Sequence, residues 1–147
     1  MKSTSEVVEG VRAWAKGVYP LEAGVELLIR QGRAIYVGAP WLYDYGERVV
    51  VDVDELLEGT GAWSGGEQRV VRIAASLLGG DQVNLNDDVP GLDRPNLALV
   101  LAAIAHANGS HEHSEIRYSQ DGTPQGFERV PSLYPWPASA ADVSGAS

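Results

Sequence analysis

Three short segments of the sequence carry the pattern that starts an α-helix, and this feature constrains the fold most. In residues 3–6, 52–55 and 64–67, a Ser or Asp is followed three positions later by Glu. In such a capping box the first side chain accepts a hydrogen bond from a backbone N–H of the first turn, and the Glu side chain reaches back. Apolar residues then recur every three or four positions, most clearly after the first and third boxes. The pattern predicts three helix starts.

Two further segments have helical spacing. In one, Pro20 suits an opening turn, Val25 and Leu28 share a face, and Gly32 is expected to end the helix. The other runs from about residue 93 to 109, and its wide apolar face predicts the central helix of the core. The sequence therefore predicts a mainly α fold, a compact domain of about five helices.

A small β-hairpin is expected within this helical domain, in an insertion at about residues 34–51. The run at 49–51 is three valines, and residues 44–46 (Asp-Tyr-Gly) are a turn signal. We expect residues 41–43 to pair with residues 48–51. Because a lone hairpin is marginally stable in water, it must pack on the helices.

The C-terminal part of the chain has a different composition. Residues 119–147 contain four prolines, many small residues and no helical period. We therefore expect a helical domain at residues 1–118, a Pro-rich strap at 119–137 that packs on the domain or on a partner, and a disordered tail at 138–147.

Composition excludes several classes of function. The chain has no cysteine, which rules out disulfides, thiolate nucleophiles and cysteine-bound zinc. Its net charge of −9 disfavours direct binding to nucleic acid or to anionic membranes. No apolar run approaches the ~20 residues that span a bilayer, and the first residues lack the apolar stretch of a secretory signal. We expect a cytoplasmic protein with no membrane association.

Catalytic signatures are few. Residues 64–68, Ser-Gly-Gly-Glu-Gln, resemble the signature motif of ABC-transporter ATPases. That resemblance would imply contact with a nucleotide phosphate, but the chain has no glycine-rich loop ending in Lys-Ser or Lys-Thr to hold one. We interpret the segment as a helix cap, and we expect a protein that is not an enzyme.

The three histidines lie within eight residues, at the end of the predicted helix 93–109. His106, His111 and His113 could supply imidazole ligands to zinc or another transition metal. The alternative is structural, because a helix C-terminus favours a positively charged imidazole and a polar loop is ordinarily exposed. Apart from such a metal, no cofactor is expected.

Aromatic residues concentrate around the expected hairpin and in the strap. Tyr and Trp are common anchors of protein interfaces, because they bury a large area at small entropic cost. The candidate binding surface comprises Tyr36, Trp41, Tyr43, Tyr45, Tyr134 and Trp136.

The leading hypothesis is a non-enzymatic, acidic protein–protein interaction domain that acts as an adaptor, inhibitor or assembly subunit. Its partner would be another protein with a basic surface. One alternative is an acidic mimic of nucleic acid that inhibits a nucleic-acid-binding protein. Another is a small metal-binding protein that uses His106, His111 and His113, and a third is a self-associating subunit, which would make the chain a homo-oligomer.

Overall fold

Six α-helices and two β-hairpins form the part of the chain that the structure, a computed structural model, describes: residues 2–138. A single 3₁₀ helix, Ser110–Glu112, lies between the last helix and the second hairpin. The predicted mainly α fold with a small hairpin is confirmed. The helices are α1 (Thr4–Ala15), α2 (Tyr19–Gln31), α3 (Val53–Gly59), α4 (Gly65–Gly79), α5 (Leu85–Asp88) and α6 (Arg94–Asn108), and the strands are β1 (Leu42–Asp44), β2 (Val49–Val51), β3 (Ser114–Tyr118) and β4 (Pro124–Arg129). The tail expected at residues 138–147 lies, apart from Ala138, outside the described residues.

The three predicted caps start helices at the expected positions. Ser3, Asp52 and Ser64 are the N-caps of α1, α3 and α4, and each side chain accepts a hydrogen bond from the backbone N–H three residues later. The extra helix relative to the prediction is the single-turn α5, which begins after the N-cap Asn84. No helix in residues 2–138 has both the length and the apolar character needed to cross a bilayer.

The central helix is α2, and the prediction that the helix at 93–109 holds this place is wrong. Helix α2 lies against both α4 and α6, and its Ala23, Leu27 and Leu28 are fully buried. Gly24 permits the close approach of α4, because a Cβ atom there would lie 2.8 Å from Cγ of Leu78. Helix α6 covers one side of α2 and leaves Ile104 half exposed.

The first hairpin (β1–β2) matches the prediction closely. Leu42 pairs with Val51 and Asp44 with Val49 in an antiparallel register. The hairpin packs on α1, where Gly10 makes room for it: a Cβ atom at Gly10 would lie 2.6 Å from a methyl carbon of Val49. Burial of Val49 and Val51 anchors β2 in the core.

The second hairpin (β3–β4) was not predicted. Ile116 pairs with Phe127, and a bulge interrupts the register between Arg117 and Tyr118. Every residue of both strands is exposed. Residues 119–129, which we expected to belong to the strap, form the turn and second strand of this hairpin. The remaining C-terminal segment, residues 130–138, returns to the helical body.

Candidate functional site

Three potential metal ligands from three separate elements meet at one end of the helical body. Glu22 lies in the first turns of α2, His106 in the last turn of α6, and His111 in the 3₁₀ helix. One ligand atom from each lies within 4.8 Å of the other two. We call these residues the Glu–His cluster.

The end of α6 positions the two histidines of the cluster. Gly109 closes the helix with a φ of +89°, a left-handed conformation that turns the chain back into the 3₁₀ helix. His111 thereby stacks on His106, with ring centroids 3.9 Å apart and planes 10° from parallel. The Tyr19 ring lies edge-on to His111 at 4.9 Å. A side chain at Gly109 would collide with Tyr19, since its Cβ atom would lie 3.1 Å from Cε2.

Hydrogen bonds hold Glu22 in an ionised state. The Gly17 N–H donates to Oε2 of Glu22 at 2.8 Å, and Nε2 of His106 donates to Oε1 at 2.7 Å. Burial acts to raise the pKa of Glu22, but these two hydrogen bonds and the electrostatic effect of His106 and His111 outweigh it. The pKa of the Glu22 carboxyl therefore lies below its usual value of 4.5.

One nitrogen of the cluster has no partner. Nδ1 of His111 is buried and makes no hydrogen bond to any described residue. The other ring nitrogen, Nε2, lies 4.0 Å from Oε1 of Glu112. Buried polar atoms are nearly always hydrogen-bonded to protein or to ordered water, so this nitrogen has the capacity for a further partner.

Of the three histidines predicted to form a metal site, two meet in the Glu–His cluster and one does not. His106 and His111 come together, whereas His113 lies exposed beyond the 3₁₀ helix and takes no part in the cluster. The third ligand is Glu22, which is separated from His106 by 84 positions. Local sequence spacing has no signal for Glu22, because only the packing of α2 against α6 brings it to the histidines.

A cavity of about 560 Å³ adjoins the Glu–His cluster. Glu22 and His106 line it together with Arg12, Arg30 and Trp136. The Trp136 ring lies 6.1 Å from that of His106 and beneath the guanidinium group of Arg30, which is 5.0 Å from its centroid. Trp136 thus packs on the body and forms a cavity wall, whereas the sequence predicts it as part of the binding surface.

The other candidate surface residues separate into buried and exposed groups. Trp41 is 2% exposed and donates its indole N–H to the carbonyl of Ala34, so it belongs to the core. Tyr36 packs edge-on against Trp41 and is partly exposed. Tyr43, Tyr45 and Tyr134 are exposed, with Tyr45 the most at 73%. Of the predicted surface, the part that stays together outside the core is Tyr43 and Tyr45.

These two tyrosines border a groove between the first hairpin and the start of α3. Its volume is about 660 Å³, and three aspartates contribute to its wall. The Tyr43 hydroxyl donates to Glu55, which raises the pKa of Tyr43. Within residues 2–138 no lysine or arginine lines this acidic groove, whose charged and aromatic lining residues are Tyr43, Tyr45, Asp52, Asp54 and Asp81.

The second hairpin carries an apolar face that sequence reasoning missed. Ile116 and Phe127 are cross-strand partners, and Tyr118 lies two residues beyond Ile116 on the same face. All three are exposed, Phe127 to 80%. Asp121-Gly122 is the turn signal that could have revealed the hairpin.

Comparison with family models, with curated proteins and with solved structures finds no match for this chain.

Proposed function

We propose that this chain is a non-enzymatic protein–protein interaction domain and that the second hairpin is its main partner-binding element. The observation that carries the proposal is the exposed apolar face of Ile116, Tyr118 and Phe127, on a hairpin whose strand residues are all exposed. A group of large apolar side chains that lie next to each other on the surface is typical of an interaction site. Aromatic residues are also the usual anchors of such sites.

The base of the hairpin is tied to the 3₁₀ helix that follows α6, which favours a recognition role. Arg129 forms an ion pair with Glu112 at 2.7 Å, and the Val130 N–H donates to the His113 carbonyl at 3.0 Å. The Leu133 N–H donates to the Ser110 hydroxyl at 2.8 Å. A hairpin held at its base presents its apolar face in a defined orientation, which lowers the entropic cost of binding.

The two faces of the hairpin indicate the chemistry of the partner. The register places Glu115, Arg117 and Glu128 on the face opposite Ile116 and Phe127. Charge therefore points away from the proposed contact. We infer that the partner is a protein with an apolar groove that accepts Phe127 and Ile116.

A pair of matched double variants tests this surface. Ile116→Thr with Phe127→Thr removes two of the three apolar side chains of this face and puts threonine, a β-branched residue that suits strands, in both places. Glu115→Gln with Glu128→Gln changes the neighbouring cross-strand pair, which lies on the opposite face. We expect the first variant to lose the proteins that the full chain captures from a lysate of its source, and the second to retain them.

Light scattering of the same proteins shows whether the occupant is a second copy of the chain. Circular dichroism should give the same melting temperature for both variants within a few degrees, because exposed substitutions usually cost less than about 0.5 kcal/mol. Equal capture by wild type and the Ile116/Phe127 variant would contradict the proposal.

The acidic groove favours a second candidate function, the binding of a basic partner. Asp52, Asp54 and Asp81 form no ion pair within residues 2–138. Arginines pair with carboxylates elsewhere in residues 2–138, namely those of Glu9, Glu26, Glu67, Asp88 and Glu112. A mimic of nucleic acid is one form of this function, and the groove would be its contact site.

Salt dependence tests this second candidate. A labelled arginine-rich peptide should bind the wild type at low salt and dissociate as salt screens the charges. Asp54→Asn with Asp81→Asn should weaken binding more than Glu115→Gln with Glu128→Gln, although both double variants remove two charges. Equal weakening would indicate a general charge effect and would count against a specific groove.

A further inference from the structure

We propose that Glu22, His106 and His111 bind a divalent transition-metal ion of the zinc class, which joins the base of the second hairpin to the helical body. This inference goes beyond the proposed interaction function and does not depend on it. Zinc takes imidazole nitrogen and carboxylate oxygen as ligands, and three protein ligands with an open fourth position are common. The Glu–His cluster supplies this set.

The cluster is close to the size that such a site requires. Bonds of about 2.0–2.1 Å in a tetrahedral site place ligand atoms about 3.3 Å apart. Oε1 of Glu22 and Nε2 of His106 lie 2.7 Å apart, and all three ligand atoms lie within 4.8 Å. In the bound state the ion takes the place of the Nε2 proton of His106, and the two imidazoles, nearly parallel without it, tilt so that their lone pairs converge on the ion.

Two features independent of the spacing also point to a ligand. Nδ1 of His111 is buried without a hydrogen-bond partner, so it has a lone pair or a proton that nothing described satisfies. The Gly17 N–H orients Glu22 through Oε2 and leaves Oε1 directed at His106. An outer hydrogen bond of this type is what fixes a metal-binding carboxylate in known sites.

The adjoining cavity supplies room for a fourth ligand. Glu22 and His106 both line it, and its volume of about 560 Å³ is far larger than the space of a water molecule. A water molecule in this cavity completes a tetrahedral site.

The position of His111 determines what the ion does. His111 lies in the 3₁₀ helix. The residue that follows it in the same helix, Glu112, forms an ion pair with Arg129 at the end of β4. Stacking on His106 and packing against Tyr19 hold His111 in place without a metal. A metal bond to His111 fixes the 3₁₀ helix to α2 and α6, and so restrains the base of the hairpin.

Zinc titration of the metal-free full chain, without a tag, tests the site. His113→Ala is the matched control, because His113 is a neighbouring histidine that lies outside the cluster. We expect wild type and His113→Ala to bind one Zn²⁺ per chain in calorimetry and to give the visible absorption of tetrahedral Co²⁺. His111→Ala, His106→Ala and Glu22→Gln should each lose more than about 100-fold in affinity, since loss of even an outer partner costs 10–100-fold.

Three results would overturn the site. The first is that the wild type binds no Zn²⁺ even when the Zn²⁺ concentration is well above the protein concentration. The second is that His113→Ala loses as much zinc affinity as His111→Ala. The third is that Glu22→Gln loses no zinc affinity. Circular dichroism of each variant without metal tests whether the variant is folded. The Ile116/Phe127 variant should keep the full zinc affinity, so failure of the partner-binding proposal and failure of the metal site are distinguishable.

Hydrogen exchange measures the proposed link to the hairpin. Zinc should slow exchange of the backbone amides at residues 110–118 and 125–130 in wild type, and it should have no such effect in His111→Ala. Zinc binding that leaves exchange in these segments unchanged would overturn the anchoring role.

Discussion

Trp41 shows why single residues were harder to place than helices. Alternation along the first hairpin separates Trp41 and Tyr43 from Leu42, but alternation does not say which side chain meets the core. The indole ring of Trp41 fits into the core because Gly59, at the end of α3, has no side chain. A Cβ atom at Gly59 would lie 2.6 Å from Cζ3 of Trp41. A contact between residues 18 positions apart is invisible to local periodicity.

The contact between Trp41 and Gly59 gives the first prediction. Gly59→Ala should lower the free energy of unfolding by about 1–3 kcal/mol, because the buried indole ring must shift to admit the methyl group. Gly66→Ala is the control, since Gly66 lies in the first turn of α4 and a Cβ atom there meets nothing within 4 Å. Urea unfolding should show the control to be neutral, or more stable by up to about 1 kcal/mol. Equal stability of both variants would show that Trp41 does not pack as described.

The same limit applies to the Glu–His cluster. His106 and His111 are near each other in sequence and were predicted together, whereas Glu22 arrives through packing of α2 on α6. His113 looked equivalent to His111 in the sequence, but the 3₁₀ helix ends at Glu112 and directs the chain into β3. Proximity in sequence therefore indicated two members of the cluster, and tertiary structure supplied the third.

For locating helices and strands, helix caps in the sequence were better guides than hydrophobic patterns. Ser3, Asp52 and Ser64 marked helix starts because their side chains satisfy N–H groups that lack helical partners. The second hairpin has no buried face, so its strands lack the apolar alternation that identifies a half-buried strand. The turn of this hairpin, in contrast, is held by hydrogen bonds that the Asp121 carboxylate accepts from nearby residues.

The turn of the second hairpin gives the second prediction. Asp121 accepts hydrogen bonds from the Ser119 hydroxyl and from Thr123, which lower the pKa of its carboxyl from 3.8 to about 2. Because the folded pKa is depressed, the contribution of Asp121 to the turn is complete above pH 3.8 and is lost as the pH falls through about 2. NMR of the side-chain carboxyl carbon should show this midpoint.

Ser119→Ala is the matched change for that titration. It removes the largest cause of the shift, so the Asp121 midpoint should rise toward 3.8. A wild-type midpoint near 3.8, or a midpoint that Ser119→Ala leaves unchanged, would show that the turn does not form these hydrogen bonds.

Which helix lies at the centre of the protein could not be derived from the sequence of each helix taken alone. The α6 segment has the wider apolar face in sequence, yet α2 occupies the centre because α4 and α6 cover two of its sides. A small residue contributes to this arrangement, because Gly24 lets α4 approach α2 closely. An apolar face indicates that a helix is buried, but the fit between partners determines which helix is central.

The C-terminal segment, residues 130–138, closes the molecule and gives the third prediction. Trp136 packs between Arg30 and His106, and Arg30 also donates to the Pro137 carbonyl at 3.1 Å. Trp136→Ala should lower the free energy of unfolding by about 1–2 kcal/mol, because a half-buried ring and its contact with Arg30 are lost. The variant should also be cleaved faster by protease within residues 130–138.

Leu133→Ala separates this anchoring from a general effect of changing the segment. Leu133 belongs to the same segment but is 90% exposed, so its replacement should change stability by less than about 0.5 kcal/mol and leave the rate of cleavage unaltered. If Trp136→Ala behaved like Leu133→Ala, the segment would not be held by Trp136. The cavity beside the Glu–His cluster would then lack a fixed wall, because Trp136 is the part of the C-terminal segment that lines it.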